Sequence, residues 1–222
     1  MIRLLSTKPL LPEEVETFAA SGFQVETLPF IRVRTLDTLA PFPKADFSIF
    51  TSRNAVEAVL KVPEAKALSP HKAFCVGEKT RESLEKAGWE VVASFGYAQQ
   101  LADHLVEQYA CYSFVFFCGE RRMDTLPEQL KTYGIPCHEC LTYTTELTPQ
   151  KLHKPYDGLL FFSPSAVKSF LKENHFAEEK IICIGSTTQS ALPEGVSSYI
   201  AHSPTLEGII ERCREIFNNR QT

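Results

Sequence analysis

No stretch of this chain reads GxGxxG, and no GxxxxGK pattern follows an apolar run. Both are phosphate-cradling turns, so their absence argues against a nucleotide cofactor. Lys and Arg number 23 against 27 Asp and Glu, they form no basic run, and the net charge is −4. A phosphate backbone or an anionic membrane surface selects the opposite sign, so neither nucleic acid nor membrane is expected as a partner. The first apolar patch, Met1 to Pro12, is broken by Lys8, Pro9 and Pro12. That is too short for a signal peptide or membrane helix, and a cytoplasmic protein is expected.

Metal chemistry is equally thin. The cysteines number seven, an odd count, and Cys75, Cys118 and Cys183 lie in apolar runs where a thiol packs as a small hydrophobe. All are read as reduced. Cys137 and Cys140 form a CxxC, but the segment Cys137 to Thr145 has the pattern of a strand, on which residues three apart point to opposite faces. No second Cys or His pair completes a four-ligand set, so neither metal nor any other cofactor is expected. The six histidines are scattered through polar segments, and no triad or paired acidic motif stands out.

What the chain does have is an internal repeat. Phe50-Thr51-Ser52-Arg53-Asn54-Ala55-Val56 returns further along as Phe161-Phe162-Ser163-Pro164-Ser165-Ala166-Val167. Cys75-Val76-Gly77-Glu78-Lys79-Thr80 returns at nearly the same offset as Cys183-Ile184-Gly185-Ser186-Thr187-Thr188. Leu11-Pro12-Glu13-Glu14 with Gly22 is echoed, again at that offset, by Leu126-Pro127-Glu128-Gln129 with Gly134. Three collinear matches at nearly one spacing describe two copies of a unit of about 110 residues, the size of a small domain.

Within each copy a strand precedes a helix. Phe47 to Phe50, Phe114 to Cys118, Leu159 to Phe162 and Ile181 to Ile184 are continuous apolar runs, as suits a sheet buried on both faces. Helical patterns follow over Ala55 to Val62, Arg81 to Ala87, Asp124 to Tyr133 and Ala166 to Asn174. Such alternation predicts parallel α/β layers. Phe30 to Leu36 and Glu139 to Thr145 instead alternate polar and apolar residues, and are expected to pair as a ribbon between domains. Pro41 and Pro43 flank one candidate boundary, Pro149 and Pro155 another.

Open parallel sheets bind ligands beyond the carboxyl ends of their strands. Those junctions are Ser6-Thr7-Lys8, Thr51-Ser52-Arg53-Asn54, Gly77-Glu78-Lys79-Thr80, Gly119-Glu120-Arg121-Arg122, Ser163-Pro164-Ser165 and Gly185-Ser186-Thr187-Thr188. Each offers backbone amides or hydroxyls. Any one of them is accounted for equally well by helix capping, for which Ser163 before Pro164 is well suited. Six together point to a cleft for an anion, and since one helix N-terminus contributes roughly 0.3 to 1 kcal/mol, to an anion with many carboxylates. The binding residues expected are Thr51, Ser52, Asn54, Gly77, Lys79, Thr80, Gly119, Ser163, Pro164, Ser165, Gly185, Ser186, Thr187 and Thr188, with Arg53, Arg121 and Lys168 at the rim. Tyr143 has two open readings: a cross-strand aromatic, or a phenol projecting into an interdomain cleft.

Phe50-Thr51-Ser52 with Ala55-Val56-Glu57, Val76-Gly77 with Thr80, Tyr143-Thr144-Thr145, Phe161 to Ser165, and Ile184-Gly185 with Thr187-Thr188 together resemble the uroporphyrinogen-III synthase family, in order and over nearly the whole chain. The resemblance implies two similar doubly wound parallel-sheet α/β domains, flavodoxin-like or Rossmann-like, joined by a two-stranded ribbon. The expected domains are residues 1–30 plus 147–222 and residues 39–136, with strands 31–38 and 137–146 as the hinge. It further implies a cofactor-free cyclising lyase acting on hydroxymethylbilane, a small molecule with eight carboxylates. A monomer is expected, and Tyr143 is the expected catalytic residue, because departure of the ring A hydroxyl needs a proton or a strong hydrogen bond that a neutral phenol can donate. The competing reading is a two-lobed anion-binding or sensing module without catalysis.

Overall fold

The protein is described by a computed structural model covering residues 1–36, 42–63, 65 and 71–218. Residues 37–41, which include Pro41 and part of the expected hinge and second domain, lie outside the described residues, as do 64, 66–70 and 219–222. The chain divides into two compact units, Met1–Arg32 with Glu146–Thr222, and Val33–Thr145.

The first unit starts with β1 (Ile2–Ser6), α1 (Pro12–Ala20) and β2 (Phe23–Thr27), and the chain leaves it within β3 (Ile31–Thr35). The second holds β4 (Phe47–Phe50), α2 (Arg53–Leu60), β5 (Lys72–Val76), α3 (Glu78–Lys86), β6 (Glu90–Phe95), α4 (Ala98–Gln108), β7 (Phe114–Gly119) and α5 (Thr125–Thr132). The chain returns to the first unit within β8 (Cys137–Leu147). That unit is then completed by β9 (Gly158–Phe161), α6 (Pro164–Phe170), β10 (Lys180–Cys183), α7 (Ser186–Gln189), β11 (Ser198–Ile200) and α8 (Leu206–Asn218).

One sheet has the order β11-β10-β9-β1-β2, the other β3-β8-β7-β4-β5-β6. From β11 to β2, and from β8 to β6, every neighbouring pair is parallel. The continuous apolar runs serve two cores at once. In the second sheet Ile49, Phe74, Phe114 and Phe116 face Leu101, Leu105, Leu126 and Leu130 of α4 and α5. Phe50, Cys75, Val115 and Phe117 face Ala55, Val56, Val59 and Leu84 of α2 and α3. In the first sheet Leu4, Leu160 and Ile182 meet Phe18 of α1 and Ile209, Cys213 and Phe217 of α8, while Leu5, Leu159, Phe161 and Ile181 meet Val167 and Phe170 of α6. Each fully buried Leu, Ile or Phe contributes about 1.5–3 kcal/mol, so helices on both faces are what make these runs stable as strands.

The expected ribbon takes a different form. β3 and β8 are neighbours, with Leu36 N donating to Thr142 O at 2.9 Å. Yet β8 also pairs in parallel with β7, from Phe114↔Cys137 to Gly119↔Tyr143. The first part of 137–146 is therefore a strand of the second sheet, paired with β7, with Cys137 and Cys140 each packed against a different one of its two cores, while β3 lies beside the later part.

One polar clamp occurs in both units. The Asp46 carboxylate, just before β4, accepts Ser113 N at 2.8 Å and Ser113 Oγ at 2.7 Å, tying β4 to the start of β7. Asp157, at the matching place in the repeat just before β9, accepts Arg3 N at 2.8 Å, while its own amide donates to Arg3 O at 2.8 Å. The hydroxyl and amide of Ser113 hold the Asp46 carboxyl below its ordinary value. A depressed folded-state pKa gives stability that is present above about pH 4 and lost as pH falls through the folded value. We expect Asp46→Asn to lower the melting temperature at pH 7, and the deficit to shrink between pH 5 and pH 3. A deficit constant over that range, followed by circular dichroism, would show that the carboxylate's charge plays no part.

Candidate functional site

Parallel strands deliver all their carboxyl ends to one edge of the sheet, and the helix that follows each strand begins there. In the second unit β4 runs into Thr51 and Ser52, both half-buried. Ser52 is extended, at φ −154° and ψ 136°, and its Oγ accepts Asn54 N at 3.2 Å to cap α2. β5 ends at Gly77, whose φ of 88° favours glycine and whose carbonyl accepts Thr80 N at 3.1 Å. Lys79 is exposed beside it. β7 ends at Gly119, which is buried and whose carbonyl accepts Arg122 N at 3.1 Å. Arg122 pairs with Glu139 and, at 2.8 Å, with Asp124.

The first unit repeats the arrangement. Ser163, at φ −161° and ψ 155°, caps α6 by accepting Ala166 N at 3.2 Å, with Pro164 opening the helix and Ser165 half-buried after it. Gly185 caps α7, with its carbonyl accepting Thr188 N at 3.1 Å, and Ser186 and Thr187 are exposed. At the end of β1 the Lys8 ammonium stands 4.6 Å from the centroid of the Phe162 ring.

These facts refine the expected set. A capping serine uses a lone pair of Oγ for the amide and keeps its hydroxyl proton, so Ser52 and Ser163 cap a helix and still offer a donor. Thr80 and Thr188 sit deeper at the same junctions, 4% and 3% exposed, with their amides donating to Gly77 O and Gly185 O. At the rim Arg53 pairs with Glu57 at 3.2 Å, and Arg121 and Lys168 are exposed. Each unit thus collects neutral donors and helix N-termini at one sheet edge, an arrangement suited to holding several carboxylates.

Tyr143, on β8, is half-buried against the cluster that contains Phe50 and Phe117, and its carbonyl accepts Glu120 N at 3.1 Å. Two further residues escaped the sequence reading, one in each unit. Lys8 stood in a junction but was not singled out as a site residue. Thr142 is fully buried, and its hydroxyl donates to Cys118 O at 3.0 Å. Nothing in the alternation of Leu141-Thr142-Tyr143 marks Thr142 as different from an ordinary strand residue. All seven cysteines are free, and burial pushes the thiols of Cys118, Cys137, Cys183 and Cys213 up to about 12, which leaves them poor nucleophiles and ligands. Among the described residues no group of three or more His, Cys, Asp or Glu is placed to hold a metal ion.

Removing either capping hydroxyl costs the helix an amide partner. Ser52→Ala and Ser163→Ala should each destabilise by about 1 kcal/mol in urea unfolding, with Ser→Gly milder. No change would mean that water replaces the cap at no cost.

Comparison with known proteins agrees with this geometry. The family model described as Uroporphyrinogen-III synthase HemD matches residues 13–211. A uroporphyrinogen-III synthase of Chlorobaculum parvum is 28% identical over 165 residues, covering 64% of this chain and 67% of that protein. The crystal structure of uroporphyrinogen-III synthetase from Helicobacter pylori superposes with a TM-score of 0.75 at 22% identity, covering 97% of this chain and 100% of the other. A mutant uroporphyrinogen III synthase from Thermus thermophilus does so with a TM-score of 0.66 at 17% identity and 100% of both chains. Those two likenesses carry the fold, and the family model, spanning both units, carries the assignment: the chain belongs to the uroporphyrinogen-III synthase family.

Proposed function

We propose that this chain converts hydroxymethylbilane to uroporphyrinogen III, closing the ring with inversion of ring D and loss of water. The observation that carries the reading is the family match over residues 13–211, which takes in five of the six junctions, from Thr51 to Thr188. Membership makes the chain a cyclising lyase of tetrapyrrole biosynthesis.

In this reaction the hydroxyl leaves the ring A end as water, and the resulting azafulvene is attacked by the substituted α-carbon of ring D. The spiro intermediate then breaks and rejoins at the free α-carbon of ring D, which loses a proton, so the balance closes on one water released. No oxidation state changes. The bilane also cyclises unaided to the isomer without inversion, so the enzyme's task is to hold the chain where the inverting attack wins. Thr51, Ser52, Asn54, Gly77, Lys79 and Thr80 in one unit, and Ser163, Pro164, Ser165, Gly185, Ser186, Thr187 and Thr188 in the other, are the groups we assign to the substrate carboxylates. Tyr143 donates the proton, or a strong hydrogen bond, to the departing hydroxyl. We take the protein to act in the cytoplasm as a monomer, without cofactor, nucleic acid or membrane. The net charge of −4 supports this, and no described helix is long and apolar enough to cross a membrane.

Two measurements test the reading. Purified protein should form the type III isomer from hydroxymethylbilane and keep that activity after dialysis against a chelator; activity that is lost and returns with zinc would reverse the cofactor assignment. Tyr143→Phe should fold normally and slow the reaction about ten- to a hundredfold, the lower part of the general-acid range, because the pyrrole already pushes electrons towards the leaving group. An unchanged rate and isomer ratio would return Tyr143 to a packing role.

A further inference from the structure

Tyr143 lies on the face of β8 opposite to the one its spacing assigns. Regular alternation would put Cys137, Glu139, Leu141 and Tyr143 on one side and His138, Cys140 and Thr142 on the other. Cys137 does pack with the Phe114 and Phe116 cluster. Tyr143 packs instead against the cluster that holds Phe50, Val115 and Phe117, the side that Cys140 also joins. The register explains the reversal. β7 pairs Cys118 with Leu141 and then Gly119 with Tyr143, so Thr142 is one residue too many on β8 and the pleat restarts half a period later.

The bulge is held on both sides. Thr142 is 0% exposed, its Oγ1 donates to Cys118 O at 3.0 Å, and its own carbonyl accepts Leu36 N at 2.9 Å. Beyond it Tyr143 O accepts Glu120 N at 3.1 Å, and Thr144 Oγ1 donates to the Glu120 carboxylate at 2.5 Å. On the partner strand Gly119 provides the room. It has no positive φ that would require glycine. A Cβ there would overlap Cζ of Tyr143 and stand 2.7 Å from Cε2 and 2.8 Å from the hydroxyl oxygen.

We infer that Thr142 and Gly119 are positioning residues for the Tyr143 phenol, Thr142 by turning it to the Phe117 face and Gly119 by receiving its ring. Gly119 therefore acts through its missing side chain, not as an amide donor to substrate. The inference rests on the proposed role of Tyr143, so its test is a set of double-mutant cycles with Tyr143→Phe. Thr142→Val keeps the shape and removes the hydroxyl, and should lower kcat about tenfold with KM nearly unchanged. Thr142→Ser should recover most of the loss. Gly119→Ala should lose as much activity as Tyr143→Phe. In the Tyr143→Phe background neither Thr142→Val nor Gly119→Ala should add to the defect, nor change the isomer ratio further. Thermal unfolding of every variant checks the fold, and if Gly119→Ala does not fold, the Thr142 cycle decides alone. Losses that multiply with that of Tyr143→Phe, or full activity in Thr142→Val, would overturn the positioning role while leaving Tyr143 as donor. Full activity in Tyr143→Phe would overturn the reading of the phenol itself.

Discussion

The pairing of β1 with β9 is the constraint on which the first unit depends. Leu4, near the start of the chain, lies beside Gly158, and the two strands form the middle of a five-stranded sheet. Gly158 leaves the space in which the chain's ends converge, since a Cβ there would stand 2.8 Å from Leu4 Cδ2, 3.1 Å from Phe217 Cζ and 3.3 Å from Lys180 O. Closing so long a connection costs little more than closing a short one, because each doubling of loop length adds only about 0.6 kcal/mol. Against that stands a cluster of Leu4, Phe18, Phe23, Leu160, Ile209 and Phe217, each contributing about 1.5–3 kcal/mol on burial. Apolar burial wins easily, so a unit assembled from both ends of the chain is not a weak one.

That pairing also shows how the sequence repeat and the folded units are related, for they are not the same thing. The orders β11-β10-β9-β1-β2 and β6-β5-β4-β7-β8 are one arrangement, with β9 in the place of β4 and β1 in the place of β7. Each linear copy opens with a strand, helix and strand and ends with three more strands, β4 to β6 in the first and β9 to β11 in the second, with β3 intervening in the first. The opening part of the first copy joins the later part of the second, and the reverse holds in the other unit. The paired clamps follow the same rule: Asp46 and Asp157 occupy one position of the repeat, Ser113 and Arg3 the other. Each unit is thus complete only when both copies are present.

Much of this was legible because burial on both faces leaves a crude signature. Phe47 to Phe50 and Phe114 to Cys118 read as strands since nothing polar interrupts them for long, and their observed limits differ by one residue at most. Capping was legible at Ser52 and Ser163 for the same local reason, a small hydroxyl residue ahead of an apolar helical pattern. What was hidden depends on long-range context. β8 alternates as a ribbon strand would and does neighbour β3, but its additional parallel pairing with β7 depends on residues far away and leaves no mark in the pattern. The bulge at Thr142 is set by the pairing with β7, so strict alternation puts Tyr143 on the wrong face. The depth of Thr80 and Thr188 was equally invisible, because a threonine in the first turn of a helix looks the same in sequence however deeply it is buried.

The chemistry at the strand ends has a logic that charge alone would not give. A ligand with eight carboxylates would be held most tightly by arginines, yet Arg53 pairs with Glu57 and Arg122 with Glu139 and Asp124, while serine hydroxyls and helix amides sit at the junctions themselves. In the proposed reaction the departing hydroxyl leaves an electron-poor azafulvene, so the transition state gains positive charge. Unpaired guanidinium groups near that centre would oppose it in a site of low dielectric, where charge interactions are strong. A neutral hydroxyl or amide binds a carboxylate with roughly 0.5 to 1.5 kcal/mol and carries no net charge to oppose the cation. On the proposed reading such bonds would hold the bilane without raising the barrier, Lys79 being the one cation among the assigned groups, and a neutral phenol would donate to the leaving hydroxyl under the same restriction. On that reading the lack of an obvious catalytic constellation in the sequence follows from the sign of the charge that the proposed reaction develops.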